Sequence, residues 1–232
     1  MRAVVLSGGL THDFPATTAC LGELLGEAGF DVEVHSGRAG VETAPAALPG
    51  AALLVVNALR WTMTGPGVPD RYRELAPAEA ASPSPPARRA LETHLAAGGG
   101  VLGMHTAGLC FDDWPGWADT LGAAWVWGGS SHPPLGPAVT VTPATAHPLV
   151  ADLDPFEIVD EVYSGLDLRP DVEGLLHATP PGSDAAPQPL LWAREHGGGR
   201  VVYDALGHHP PSYEVAEHRE IVRRAIRWTT EG

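Results

Sequence analysis

Lysine is missing from this 232-residue chain, whose 14 side chains of the Lys and Arg class are all arginine. That absence excludes a Schiff-base lysine, hence pyridoxal-phosphate attachment and lysine aldolase chemistry, and it excludes a P-loop lysine. Cysteine is scarce too. Cys20 and Cys110 are the only two, and they form neither a CxxC pair nor a zinc-ligand spacing, so both read as reduced, packed thiols. No apolar run approaches the roughly 20 residues needed to cross a bilayer. The opening stretch MRAVVLSGGLTHDF is too short an apolar segment for a signal peptide, so a cytoplasmic location is expected. Positive charge is in short supply against a formal net charge of −14. Such a balance excludes phosphate-backbone binding to nucleic acid and disfavours an anionic membrane as partner.

Apolar residues make up 44% of the chain, enough to bury a full core in a single domain spanning residues 1–232. Ala3 to Leu6 reads as a short buried strand. His12, Asp13 and Pro15 then open a helix whose face is marked by Leu21, Leu24 and Leu25 and which stops at Gly29. Asp31 to His35 alternates as a second strand, and Leu53 to Val56 is a third, ending at Asn57. This order predicts βαβ units and a parallel sheet. Residues 58–86 lose any pattern and are rich in Ala, Ser and Pro, which reads either as a lid or as disorder. A helix over Arg88 to Ala97 follows, with His94 on its apolar face in a structural role. Trp114, Trp117 and Leu121 mark a further helix. Extra strands inserted between His132 and Leu191 are expected at the edge of the sheet. The last strand, Val201 to Asp204, leads through Gly207 and His208 to a final helix carrying Val215, Ile221, Val222, Ala225 and Ile226.

The stretch Gly98–Gly108 (GGGVLGMHTAG) organises the rest. Val101 to Met104 reads as a buried strand that breaks sharply into a helix start at His105. Such a corner exposes its residue at the sheet edge and is how many nucleophile elbows are built. It is equally what a plain tight turn would look like, with His105 bonded to the first helical amides. His12, Asn57, His105 and His208 each follow a strand in this reading. Parallel strands share one C-terminal edge, so these residues are expected to converge on one crevice, with His132, Glu161 and Tyr163 from the insertion capping it. With 11 histidines in the chain, some such coincidences are expected anyway.

Six motifs recur in order along the chain. They are Ser7–Asp13 (SGGLTHD), Gly99–Ala107 (GGVLGMHTA), Gly128–Pro133 (GGSSHP), Ala146–Pro148, Asp160–Tyr163 (DEVY) and Gly198–His208 (GGRVVYDALGH). Together they resemble the trehalose-utilisation, ThuA-like family. The resemblance implies a flavodoxin-like, three-layer α/β fold with a central, mostly parallel sheet, related to the class I glutamine amidotransferases. In those enzymes a cysteine holds the elbow and a histidine follows a late strand. Here His105 stands at the elbow and His208 at the late position, so glutamine hydrolysis through a cysteine thioester is not expected. The departures from the family pattern are Ser130 and Ser131 before His132, and His209, Pro210 and Pro211 after His208. They bear on substrate identity more than on fold.

The family resemblance implies a disaccharide or keto-sugar as the small-molecule substrate. Three readings of the chemistry stand side by side. In the first, His105 or His208 moves protons with Glu161 as partner carboxylate, while His12, Asn57, Trp61, His132 and Tyr163 bind substrate. Trp61, Trp114, Trp125 and Trp127 offer stacking faces or simply pack. In the second, His12, His105, His132 and His208 with Glu161 hold a divalent metal such as zinc, assembled from separate loops because no HxH or HExxH spacing exists. The third is a sugar-binding protein without catalysis. A homo-oligomer is left open.

Overall fold

The computed structural model describes residues 1–231. Four strands read from buried apolar runs lie side by side in it: β1 (Arg2–Gly9), β3 (Leu53–Leu59), β4 (Gly100–Met104) and β11 (Gly199–Asp204), with β2 (Asp31–Ser36) outside β1. All four pairings within this block are parallel, with Val5 opposite Val55, Val55 opposite Leu102 and Leu102 opposite Val202. Every residue of β3 and β4 is buried, as expected of parallel strands covered on both faces. Helices α1 (Phe14–Glu27) and α7 (Ala216–Thr230) cover one face, and α2 (Gly40–Ala46) and α5 (Pro85–Ala96) the other. This is the three-layer, flavodoxin-like arrangement.

Beyond β11 the sheet changes character. Strands β10 (Gln188–His196), β9 (Leu176–Ala178), β6 (Val139–Pro143) and β7 (Phe156–Ile158) continue it outward through antiparallel pairings. The insertion therefore extends one edge, and a short pair, β5 (Ala123–Ala124) with β8 (Asp167–Leu168), sits apart. Helix α6 (Pro115–Leu121) ends at Gly122 in the left-handed region, a conformation glycine adopts without strain.

Two sequence expectations need correction. Asn57 does not follow the third strand, because β3 runs on to Leu59; its amide donates to Thr17 Oγ1 and Thr18 Oγ1 of α1, at 2.9 and 3.0 Å. The segment 58–86 is not patternless. After β3 it forms α3 (Asp70–Arg73) and α4 (Ala76–Glu79) and is tied down by side chains. The Arg73 guanidinium donates to the carbonyls of Thr64, Gly65 and Val68, and Asp112 accepts from the backbone and hydroxyl of Thr62. Composition alone conceals such staples, since one arginine satisfies three loop carbonyls at once.

Candidate functional site

The site begins with what the parallel block does to its loops. The Asp13 carboxylate caps α1 by accepting from Ala16 N at 3.1 Å, which fixes the backbone next to His12, the residue just before the cap. At the end of β4, His105 turns the chain with φ +43, a left-handed value that is costly for a side chain with a Cβ. Its Nδ1 donates to Ala205 O at 2.7 Å, tying the β4 corner to the chain leaving β11. Gly207 has φ +100, and a Cβ there would stand 2.6 Å from the Tyr213 hydroxyl, so only glycine passes. The next residue, His208, is thereby turned inward.

The remaining side chains come from the insertion. Asp160 is buried after β7, and its two carboxylate oxygens accept from Glu161 N (2.8 Å), Gly207 N (2.8 Å), His208 N (3.3 Å) and Ser212 Oγ (2.6 Å). One carboxylate thus locks the backbones that carry Glu161 and His208. Ser131 and Ser164 exchange backbone hydrogen bonds of 3.0 and 2.8 Å, which brings His132 beside Tyr163 and Glu161.

These pieces converge. His105 Nε2 is 3.2 Å from His12 Nε2, 3.3 Å from His208 Nδ1, 3.4 Å from Glu161 Oε2 and 2.9 Å from the Tyr163 hydroxyl. Glu161 Oε2 lies 3.4 Å from His208 Nδ1, while the other oxygen, Oε1, lies 3.2 Å from His132 Nδ1. His105 is 2% exposed and forms the floor, whereas His12 and His208 are half-buried and His132 is exposed at the rim.

Charge follows from this geometry. Burial would raise the Glu161 carboxyl, but the imidazoles of His105, His132 and His208 outweigh it and hold the group well below the ordinary carboxylate range. Glu161 is an anion at neutral pH. Burial and the neighbouring His105 lower His12 to about 4, so His12 is neutral. The Glu161 carboxylate raises His132 above the usual imidazole value. Burial keeps the Tyr163 hydroxyl protonated.

His12, His105, His208 and Glu161 form a group that could hold a metal ion, with one ligand atom from each lying within 4.8 Å of the others. Of the metal candidates read from sequence, His12, His105, His208 and Glu161 fall in this group, while His132 reaches only the outer carboxylate oxygen.

Not every candidate residue reaches the site. Asn57 is spent on α1. Trp61 is 0% exposed and packs with Phe14, Leu59 and Met63, so it offers no free face. Trp114 packs against Phe111 and Trp117 in the core. Trp125 and Trp127 are different. Trp125 stands 5.3 Å, ring centre to ring centre, from Tyr163 and 6.0 Å from His132, and Trp127 continues the ridge with both rings partly open. Asp160 had a visible signal, an acid beside Glu161, but its scaffolding role depends on Gly207 and Ser212 from about fifty residues away. Cys110 supplies no thiolate: burial pushes its thiol up to about 12, and it donates to Ala58 O. A surface hollow of about 800 Å³ lies at the antiparallel edge and is lined by Thr140, His177 and Pro180 among others. His177 is its sole titratable side chain, so polar convergence and not size locates the candidate site.

The family model ThuA, described as trehalose utilisation, matches residues 2–229. Among solved structures, a ThuA-like protein from Parabacteroides merdae superposes with a TM-score of 0.75 at 17% identity, covering 100% of this chain and 90% of that one. A second, from Bacteroides uniformis, gives 0.68 at 18% identity, covering 99% and 91%. A cytoplasmic protein of Salmonella typhimurium gives 0.65 at 13% identity over 100% of both chains. No curated protein matches the chain.

Proposed function

From the premise that the chain belongs to the ThuA trehalose-utilisation family, we propose that it processes a carbohydrate, a disaccharide or its keto form, at the histidine–carboxylate centre. The observation that carries this reading is the convergence of His12, His105, His208 and Glu161 at the carboxyl ends of parallel strands, beside the part-open rings of Trp125 and Trp127. Tryptophan faces suit the apolar C–H faces of a sugar ring, and the polar centre suits its hydroxyls.

The chemistry proposed is proton transfer at a sugar hydroxyl or at the carbon beside a ketone. His105 is too deep to meet substrate directly and serves as the anchor of the floor. His132 and His208 present more of their rings, and both touch Glu161. His132, raised by that carboxylate, is suited to deliver a proton near neutral pH, and ionised Glu161 steadies the charge. Glutamine hydrolysis has no support, because the elbow residue is an imidazole and Cys110 is a buried, protonated thiol. The proposed location is the cytoplasm, in line with the Salmonella relative's description.

The test is turnover against a panel of disaccharides and their oxidised keto forms. On the substrate so found, His132→Ala and His208→Ala are each expected to lower turnover at least about a hundredfold. Near-full activity in both folded variants would defeat the assignment.

A further inference from the structure

We propose that the floor of this centre is a mononuclear divalent-metal site of the zinc class, with His12 Nε2, His105 Nε2, His208 Nδ1 and Glu161 Oε2 as its ligands. The assignment names the cofactor of the site proposed above, whose role as reactive centre rests on the carbohydrate reading.

The first support is spacing. Zinc bonds to nitrogen and carboxylate oxygen are about 2.0–2.2 Å, so ligand atoms at tetrahedral corners stand about 3.3–3.6 Å apart. Four of the edges measure 3.2, 3.3, 3.4 and 3.4 Å. Hydrogen-bonded nitrogens sit closer, at about 2.7–3.2 Å, and none of these four contacts is well inside that range.

The second support is the direction of the lone pairs. Carbonyl oxygens only accept, so the 2.7 Å contact to Ala205 O puts the hydrogen of His105 on Nδ1. His12 Nδ1 faces the Leu10 carbonyl at 3.2 Å and Thr11 Oγ1 at 3.0 Å. The Thr11 hydroxyl already donates to Leu10 O, so His12 also carries its hydrogen on Nδ1. With its hydrogen on Nδ1, each ring turns an Nε2 lone pair toward the centre, and the two face each other across 3.2 Å, with the Tyr163 hydroxyl donating to that of His105 at 2.9 Å. Buried Glu161 Oε2, which has no hydrogen-bond partner, adds an anionic acceptor to the same point. A single proton on His105 would serve one of these acceptors and leave the others facing one another. A divalent cation satisfies all four together.

The third support is the frame. Hydrogen bonds to Ala205 O and Leu10 O orient the rings from behind, and Asp160 holds the backbones of Glu161 and His208. Ligating histidines are oriented in this way by a partner on the far ring nitrogen. Three imidazoles and one carboxylate suit zinc among divalent ions, and a substrate oxygen would enter as a fifth ligand past the half-buried sides of His12 and His208. Bound there, the ion would polarise a carbonyl or hydroxyl of the sugar. Tyr163, whose hydroxyl now reaches His105 Nε2, would give up that hydrogen bond when the ion enters.

The experiment uses the full chain, stripped with chelator, dialysed and reloaded with zinc chloride. Metal content is read by elemental analysis, affinity by calorimetry and geometry by the visible spectrum of the cobalt-substituted protein. Wild type is expected to retain one zinc per chain and to show a tetrahedral cobalt spectrum. His208→Ala and Glu161→Gln are expected to lose affinity by more than the roughly 10- to 100-fold typical of removing a supporting hydrogen bond. His132→Ala and Tyr163→Phe are expected to keep zinc within about threefold of wild type, a far smaller change than loss of a ligand. Folding is checked by circular dichroism; if Glu161→Gln does not fold, half-buried His208 carries the test. The proposal is overturned if wild type holds no stoichiometric zinc, or if His132→Ala loses zinc as severely as His208→Ala. Zinc bound without turnover of any sugar would sink only the carbohydrate reading. Sugar turnover in fully metal-free protein would sink only the metal.

Discussion

His105 combines a strained backbone with a side chain that four other groups surround. Its φ of +43 lies where L-residues lose roughly 1–2 kcal/mol relative to ordinary regions, and glycine does not. His105→Gly and His105→Ala both delete the imidazole and its bond to Ala205 O, so the difference between them isolates the backbone. His105→Gly is expected to be the more stable of the two by about 0.5–1 kcal/mol in urea unfolding, even though glycine gives the unfolded chain more freedom. An alanine variant as stable as the glycine one would mean that the corner is not strained. At the rim, His132 differs from the floor histidines in touching only the outer oxygen of Glu161. Removing it should alter catalysis without altering the floor.

Among the elements, the turn after β11 and the segment after β7 depend on each other through Asp160. Its carboxylate accepts from three backbone amides and the Ser212 hydroxyl, linking chain positions about fifty residues apart. Asp160→Asn replaces one acceptor oxygen by an NH₂ that must face existing donors. The expected loss is about 1–3 kcal/mol in denaturant unfolding, accompanied by weaker zinc binding because Glu161 and His208 are released together. Unchanged stability would show that water or a rotated side chain replaces these bonds at little cost. Gly207→Ala should disturb the same turn by another route, since φ +100 and the Tyr213 hydroxyl both oppose a Cβ. The expected result is lower stability and a displaced His208, seen as reduced zinc affinity with the other three ligands intact.

Across the whole molecule, the parallel block carries the floor and the antiparallel extension carries Glu161 and the rim, so the site exists only when both halves are folded. A buried ion pair joins the last strand to the last helix: His218 Nε2 on α7 contacts Asp204 Oδ2 of β11 at 3.1 Å, and His218 Nδ1 donates to Ser212 O at 2.8 Å. Burial alone would lower His218, but Asp204, the Ser212 carbonyl and the charge of Asp160 raise it above its ordinary 6.5. Tyr213 also packs on the ring, and burial keeps its hydroxyl protonated. A raised folded value means that the protonated imidazolium contributes stability in full below about pH 6.5, the unfolded value. That contribution is lost as pH rises through the folded value. Urea unfolding of wild type and His218→Gln across pH 5.5–9 should therefore show a gap that narrows with rising pH. A gap that stays constant or widens would mean that His218 is neutral throughout.

Much of this was written into local sequence. Buried runs around Val4, Val55, Leu102 and Val202 with helices between them specify a parallel block, because a strand covered on both faces must be apolar throughout. Parallel strands end on one edge, so His12, His105 and His208 could be assigned to a shared crevice from their positions after those strands. Asn57 escaped that rule because β3 runs past it, and a continuous apolar run carries no mark of where a strand stops. The arginine staples that fold residues 58–86 were likewise invisible, since a side chain reaching loop carbonyls has no periodic signature. That Glu161 stands within the floor group and His132 outside it was decided by tertiary structure alone. Asp160 fixes the backbones that carry Glu161 and His208, and its hydrogen bonds to Gly207 and Ser212 span chain distances at which sequence spacing holds no information about direction.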